Sequence, residues 1–230
     1  NVTIKNNTCS ATGVGSHYGF YLYYPQNSFT VTNNTINTTG TGSVYGVYNT
    51  YGNYSTPTAN EVTTSNNTIT LYSSSATYGI YYYYYCKMVN ISNNTLTQTS
   101  TGSTNYGIYI YQYCDNIKCN NNTLNLTAGS SNYGIYGYWN NYGMTNGYVE
   151  YMNNNVNASA TGSGSDYAFE VAYHNYTGTN CTLTIKNNTI VTTTPNTNAY
   201  NFGAFYVYYN GYGTNNTALI RKNNITAYSG

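Results

Sequence analysis

The sequence predicts an all-β fold, a single parallel β-solenoid of about seven to eight coils, and three observations lead to this prediction. Two short patterns recur in strict alternation along the 230 residues. Each copy alternates apolar and polar residues with the period of two that is typical of strands, and no segment has the period of a helix. Gly, Ser, Thr and Asn cluster between the copies, where turns are expected. Strands that recur in one order every 27 to 36 residues indicate one coil per repeat.

The first pattern is an aliphatic strand that ends in a pair of asparagines. In the copy around residue 90, alternation places Val89, Ile91 and Leu96 inside the coil, so Asn94 also points inward and Asn93 takes the turn. We expect the second Asn of each coil to stack into an internal amide ladder, because neighbouring coils then satisfy each buried amide. The predicted ladder positions are Asn7, Asn34, Asn67, Asn94, Asn122, Asn154, Asn188 and Asn224.

The second pattern is a strand that begins Tyr-Gly or a close variant. Its copies start at Tyr18, Tyr45, Tyr78, Tyr106, Tyr133, Tyr167 and Phe202. Alternation places Ile108 and Ile110 inside the coil and Tyr109 and Tyr111 outside. The outward tyrosines should form two exposed files, Tyr21, Tyr48, Tyr81, Tyr109 and Tyr136, and Tyr23, Tyr83, Tyr111 and Tyr138. This stripe is a candidate interface or glycan-stacking surface, with simple β-propensity and cross-strand stacking as the alternative.

These repeats resemble the right-handed parallel β-helix repeats of pectate-lyase-like and surface-adhesin proteins, including Asn- and Thr-rich adhesin-like proteins of archaeal cell surfaces. The resemblance covers essentially the whole chain. It implies a right-handed helix over residues 1–230, either a complete domain or one segment of a longer or polymeric assembly. The fold hosts lyases, hydrolases, tail spikes, adhesins and structural rods, so it does not select a function.

Composition excludes several classes of function. Charged residues make up 5% of the chain and the net charge is +1, so no basic surface exists for nucleic acid. No apolar run approaches the roughly 18 to 20 residues of a membrane-spanning helix. An aromatic content of 17% argues against disorder.

Catalysis and metal binding are also disfavoured by the residues available. The carboxylates do not form the paired or clustered arrangement that the resembled lyases and hydrolases use: Glu61, Asp115, Glu150, Asp166 and Glu170. Only two imidazoles, His17 and His174, are available to a metal. We therefore predict neither enzyme activity nor a cofactor or metal.

Cysteines and glycosylation acceptors favour an extracellular or cell-surface location. Cys86 and Cys114 follow the same tyrosine-rich strand 28 residues apart, so they should lie on adjacent coils within disulfide reach. Asn-X-Ser/Thr acceptors are abundant, although an Asn- and Thr-rich chain generates many by accident. The candidates are the loop acceptors Asn37, Asn53, Asn157 and Asn175, together with Asn93 and Asn187.

Two non-catalytic functions remain. The first is a structural subunit of a filament, sheath or stalk; the second is an adhesin or carbohydrate-binding module that uses the tyrosine stripe. Asn1 begins directly in an Asn-pair strand and Gly230 follows another, so strand edges left uncapped by these residues should pair head to tail with a second copy. This favours self-association, with glycans as further candidate partners. The alternative is that caps or anchors lie outside these residues.

Overall fold

The strands of this protein form three parallel sheets. The structure is a computed structural model, and it describes residues 1–23, 25, 28–51, 61–194, 206–208 and 213–229. The described residues contain 23 strands, numbered β1 to β23 in chain order. The first sheet contains β1 (Val2–Lys5), β4 (Phe29–Thr32), β7 (Val62–Ser65), β10 (Val89–Ser92), β13 (Ile117–Asn120), β16 (Tyr148–Met152), β19 (Thr182–Lys186) and β22 (Thr217–Arg221). The second contains β2 (Thr8–Gly13), β5 (Thr35–Gly40), β8 (Thr68–Ser73), β11 (Thr95–Ser100), β14 (Thr123–Ala128), β17 (Asn155–Ala160), β20 (Thr189–Thr194) and β23 (Asn224–Ser229). The third contains β3 (His17–Tyr23), β6 (Val44–Thr50), β9 (Thr77–Tyr83), β12 (Asn105–Tyr111), β15 (Asn132–Tyr138), β18 (Asp166–Ala172) and β21 (Tyr206–Tyr208).

Every third strand pairs in parallel with its equivalent in the next repeat, so the chain winds as a solenoid. Leu96, for example, pairs with Ile69 on one side and with Leu124 on the other. Seven coils contribute a strand to each sheet and an eighth adds β22 and β23. The prediction of a parallel β-helix of seven to eight coils is confirmed, while its handedness stays a prediction.

Asparagine makes the turn between the first and second sheets because it tolerates the left-handed backbone region. Asn93 has a φ of 57°, and the first Asn of each earlier or later pair lies within a few degrees of it. The turn residues are Asn6, Asn33, Asn66, Asn93, Asn121, Asn153 and Asn187. The role predicted for Asn93 is therefore confirmed, and it repeats along the rod.

The second Asn of each pair forms the predicted internal ladder. Asn94 Nδ2 donates to Asn122 Oδ1 at 3.0 Å, and Asn67 Nδ2 donates to Asn94 Oδ1 at 3.0 Å. The backbone N–H of each ladder Asn donates to the same oxygen, as Asn94 N does to Asn122 Oδ1 at 3.1 Å. Asn34, Asn67, Asn94, Asn122, Asn154 and Asn188 all have at most 2% of their surface exposed. Each buried amide is thus paired, which offsets its loss of hydration.

The ladder position predicted for the last coil is wrong by one residue. Asn188 donates to Asn223 Oδ1 at 2.9 Å, whereas Asn224 begins β23 opposite Thr189. In this coil Lys222 occupies the left-handed turn position with a φ of 55°. The ladder residue is therefore still the second residue after the strand, even though the turn residue before it is Lys222 rather than Asn.

Aliphatic side chains fill the interior in files that follow the register of the coils. The file of the second sheet consists of Ile36, Ile69, Leu96, Leu124, Val156 and Ile190, which are fully buried. Ile108 and Ile110 of the third sheet are also fully buried, as predicted. The core is thus one continuous apolar column.

Alternation breaks at the glycine of each Tyr-Gly pattern. The pairing of β12 with β15 joins Tyr106 to Tyr133 and Ile108 to Ile135 but omits Gly107, and Gly107 and Ile108 are both buried. A Cβ on Gly107 would lie 2.5 Å from the carbonyl oxygen of Gly134 in the next coil. The close approach of two backbones therefore favours glycine here, although Ala168 takes the equivalent position in the sixth coil, and the break changes which tyrosines point outward.

Candidate functional site: the tyrosine face

The outer surface of the third sheet carries three files of tyrosine, which we call the tyrosine face. The two predicted files are confirmed by the register of the strands, with Thr50 standing between Tyr23 and Tyr83. A third file was missed in the sequence, because strict alternation places the Tyr of Tyr-Gly inside. The break at glycine turns it outward. This third file consists of Tyr18, Tyr45, Tyr78, Tyr106, Tyr133 and Tyr167.

Rings of the third file stack face to face along the rod. The ring centroids of Tyr78 and Tyr106 are 4.8 Å apart with an interplanar angle of 6°. All five steps of this file lie between 4.5 and 4.9 Å and between 4° and 9°. The spacing matches that of neighbouring strands, about 4.8 Å. Each ring therefore turns its faces to its neighbours and leaves an edge toward solvent.

The two predicted files pack less regularly. Tyr81 and Tyr109 are stacked at 4.7 Å and 2°, whereas Tyr109 and Tyr136 are 4.7 Å apart at 67°. Tyr83 and Tyr111 are 5.6 Å apart at 4°. Such aromatic pairs each contribute roughly 0.5–1.5 kcal/mol beyond their buried area.

Stacking covers most of the surface that the sequence predicted to be exposed. Only at the first coil are the predicted tyrosines exposed, with Tyr21 at 53% and Tyr23 at 62%. The corresponding tyrosines of later coils are half-buried. The expectation of an exposed stripe is therefore corrected, because each ring shields the ring of the next coil.

Burial widens the pH range in which the tyrosine face is uncharged, beyond the neutral pH at which an ordinary phenol is already protonated. Loss of hydration, followed by the neighbouring phenols, raises the pKa of Tyr48, Tyr78 and Tyr133 to about 12. The pKa of Tyr109 is raised by the same causes, with burial the larger. These hydroxyls therefore hold their protons at neutral pH and can donate as well as accept hydrogen bonds.

One carboxylate interrupts the tyrosine face. Glu170 pairs with Tyr136 on one side and Tyr206 on the other, so it takes the position that tyrosine holds in the earlier coils. A cleft of about 400 Å³ opens there. Its lining consists of Tyr106, Tyr109, Tyr133, Tyr136, Tyr167, Glu170 and Tyr206. Burial raises the pKa of the Glu170 carboxyl.

The candidate disulfide residues lie on neighbouring coils, as predicted, but they are free thiols in the structure. The backbone N–H of Asp115 donates to the carbonyl oxygen of Cys86 at 2.8 Å, which fixes the register of the two cysteines. Both are fully buried, and Asn49 Nδ2 donates to Cys86 Sγ at 3.0 Å. The structure thus supplies a polar partner to one sulfur where a disulfide was expected. The oxidised pair stays a prediction, which peptide mapping under non-reducing conditions tests.

The glycosylation candidates differ in accessibility. Asn37, Asn93 and Asn187 are exposed and Asn157 is half-buried, while Asn53 lies outside the described residues. Asn175 is 1% exposed, and its Oδ1 accepts a hydrogen bond from Asn141 Nδ2 at 3.0 Å. The proposal of Asn175 as an acceptor is therefore wrong, because its amide is enclosed by the stacked loops of adjacent coils.

A second internal polar file, which sequence reasoning missed, lies behind the tyrosine face. Thr77 donates to Asn105 Oδ1, Asn105 Nδ2 donates to Asn132 Oδ1 at 2.8 Å, and Asn132 Nδ2 donates to Asp166 Oδ1 at 2.8 Å. Asp166 is fully buried, and burial raises its pKa despite these hydrogen bonds. The signal was the recurrence of a polar residue directly before the Tyr-Gly pattern at Thr77, Asn105, Asn132 and Asp166, although Val44 takes this position in the second coil.

A buried histidine packs near the inner side of the same sheet. His174 Nδ1 lies 3.1 Å from the carbonyl oxygen of Ala172, which can only accept, so this nitrogen donates. Nε2 then accepts from the Tyr151 hydroxyl at 2.8 Å. Burial lowers the pKa of His174 to about 4, so the ring is neutral at pH 7.

Comparison with known proteins adds no family to these observations. Within the described residues, no three His, Cys, Asp or Glu side chains lie together as a metal site would require. The same residues contain no helix long and apolar enough to cross a membrane. No protein-family model matches the chain, and no curated protein and no solved structure matches it either.

Proposed function

We propose that this protein is a structural subunit of an extracellular or cell-surface assembly, such as a filament, sheath or stalk, built from β-helical rods. The observation that carries the proposal is the continuity of stacked amides inside the coils and stacked phenols outside them. The amide ladder runs from Asn7 to Asn223 and the stacked tyrosine file from Tyr18 to Tyr167, each through successive coils. As part of the same proposal, we infer that the chain is related to the right-handed β-helices of adhesin-type surface proteins.

Self-association is supported by the chemistry of the tyrosine face. Its half-buried rings offer apolar edges, and its protonated hydroxyls can hydrogen-bond at a partly hydrated interface. Apart from Glu170, the described strands of the third sheet place no charged side chain on this surface. A second copy can therefore pack against it without burying a charge.

Carbohydrate binding by an adhesin is the second candidate function. Sugar rings stack on open aromatic faces, whereas the stacked file from Tyr18 to Tyr167 turns its faces to neighbouring tyrosines. The geometry therefore favours assembly over a stacking platform. Catalysis is disfavoured further because Asp166 and Glu170 lie on opposite faces of β18.

The test is a triple substitution of Tyr81, Tyr109 and Tyr136 by Ser. Sedimentation velocity and negative-stain electron microscopy should detect loss of assembly, while circular dichroism should report an intact β-helix. The matched control replaces Thr70, Thr97 and Asn125 by Ser on the outer face of the second sheet, in the same three coils. Assembly that persists in the tyrosine variant would contradict the proposal. Unchanged assembly with lost binding to an oligosaccharide panel would favour the adhesin.

A further inference from the structure

The cleft at Glu170 differs from the rest of the tyrosine face in its geometry. The ring of Tyr136 is turned by 67° from that of Tyr109, and the next residue in its file is Glu170 rather than tyrosine. Tyr136 therefore has no tyrosine of its own file stacked against it on that side. The interruption leaves aromatic surface beside a carboxylate.

The cleft has the size of a ligand site. Its volume of about 400 Å³ lies near the lower end of the roughly 300–1,000 Å³ that is typical of small-molecule pockets. Six phenols and one carboxylate line it, so its walls combine aromatic carbon with hydroxyl and carboxylate oxygens. Pockets of this kind bind a compact group that is apolar in outline and complementary in charge.

Glu170 lacks a partner within the part of the chain that the structure describes. No hydrogen bond or ion pair reaches its carboxylate there, and its side chain is half-buried among phenols. Burial is the cause that raises its pKa, with no cation acting on it. A half-buried carboxylate in an aromatic setting is a site that a cation would stabilise.

The kind of cation follows from the ligands present. Calcium and magnesium bind six or more oxygen ligands, usually with several carboxylates, and this cleft offers only one. An alkylammonium group, in contrast, is attracted both by a carboxylate and by the electron-rich face of an aromatic ring. Tyr106, Tyr133 and Tyr167 are stacked face to face, so the ring that offers a face beside Glu170 is Tyr136, which is turned by 67° from Tyr109. A neutral sugar can donate hydrogen bonds to Glu170, but unlike a cation it does not neutralise the carboxylate charge.

We propose that the cleft between Tyr136, Glu170 and Tyr206 binds a small organic cation carrying a primary or quaternary alkylammonium group. The carboxylate of Glu170 pairs with the positive charge, and the surrounding phenol rings contact its methyl or methylene groups. The cleft shares Tyr109 and Tyr136 with the proposed assembly surface, but it depends in addition on Glu170, which replaces tyrosine in one coil of that file.

Binding of choline, compared with its uncharged carbon analogue 3,3-dimethylbutan-1-ol, tests the proposal on the wild-type chain. The two probes have nearly the same shape, so any difference reports the charge. Saturation-transfer NMR and titration of aromatic chemical shifts should give choline an affinity at least about tenfold higher. Equal affinities for the two probes would overturn the proposal.

Two variants locate the binding site. Glu170→Gln keeps the size of the side chain and should weaken choline binding at least about tenfold. Glu150→Gln, on the outer face of the first sheet, is the matched control and should leave binding unchanged. Choline binding that survives Glu170→Gln would refute the assignment, and so would selective binding of a neutral oligosaccharide by both proteins. Sedimentation of the same samples keeps this result distinct from that of the assembly test.

Discussion

Substitution of Asn94 by Ala tests the amide ladder at its centre. The Asn94 side chain makes four hydrogen bonds: Nδ2 donates to Thr64 O at 2.9 Å and to Asn122 Oδ1 at 3.0 Å, and Oδ1 accepts from the N and Nδ2 of Asn67, both at 3.0 Å. All four are buried within the coil. Their loss removes these partners from polar groups in the two neighbouring coils, those of Thr64 and Asn67 on one side and of Asn122 on the other.

The expected cost is about 4 kcal/mol, from about 1 kcal/mol for each buried hydrogen bond that is lost. Asn7→Ala is the matched control, because Asn7 is the first member of the same ladder and is exposed. Its amide donates to Lys5 O and Asn34 Oδ1 without accepting from another ladder residue in the described chain. Its removal should cost about 1 kcal/mol or less.

Native-state hydrogen exchange is the appropriate assay, because stacked repeats need not unfold in a single two-state transition. The backbone N–H of Asn67 donates to Asn94 Oδ1, so its protection should fall sharply in Asn94→Ala. In Asn7→Ala the same amide should keep the protection that it has in the wild type. Urea unfolding gives the accompanying change in the free energy of unfolding. If both variants lose the same stability, or if the Asn67 amide stays protected, the ladder does not stabilise the coil as argued.

Two further substitutions test the packing and the electrostatics of the coil. Gly107→Ala should destabilise the protein by about 1–3 kcal/mol, because its Cβ would lie 2.5 Å from Leu124 Cδ2 and from Gly134 O. The reverse change Ala168→Gly, at the equivalent position of the sixth coil, is the control and should cost about 1 kcal/mol or less in thermal unfolding. Asp115→Asn should be neutral near pH 4 and stabilising by up to about 4 kcal/mol at pH 8. The reason is that burial, only partly opposed by Lys87, raises the pKa of Asp115 from 3.8 to about 7. Between pH 3.8 and about 7 the native state therefore binds one more proton than the unfolded state. The wild type loses stability as the pH rises through this range, whereas Asp115→Asn does not. Equal urea midpoints for wild type and Asp115→Asn at pH 8 would contradict this reasoning.

Local chemistry in the sequence was sufficient to predict the coil. A left-handed turn favours Asn, and a buried amide requires a partner, so the repeated Asn pair at Asn93 and Asn94 predicted both the turn and the ladder. Strict alternation then predicted the buried positions of Ile108 and Ile110, which the structure confirms. Each of these features depends on neighbours that the repeat itself supplies.

Other features depend on how successive coils meet. The alternation breaks at Gly107, where the next backbone approaches closely, so Tyr106 points outward although strict alternation would place it inside. The extent to which stacked rings cover one another and the burial of Asn175 are likewise properties of side-chain packing.

The sequence by itself determined that this chain is a β-solenoid, because a period of two within strands and a repeat between them are encoded residue by residue. Only the tertiary structure decided what its surface offers. Glu170 was one carboxylate among five in the sequence, and it became a candidate binding residue only when the register placed it beside Tyr136 at the interruption of a tyrosine file. The physical reason is that the burial and the charged surroundings of a side chain depend on residues of neighbouring coils, some 30 positions away in the sequence. A local sequence pattern does not contain that information.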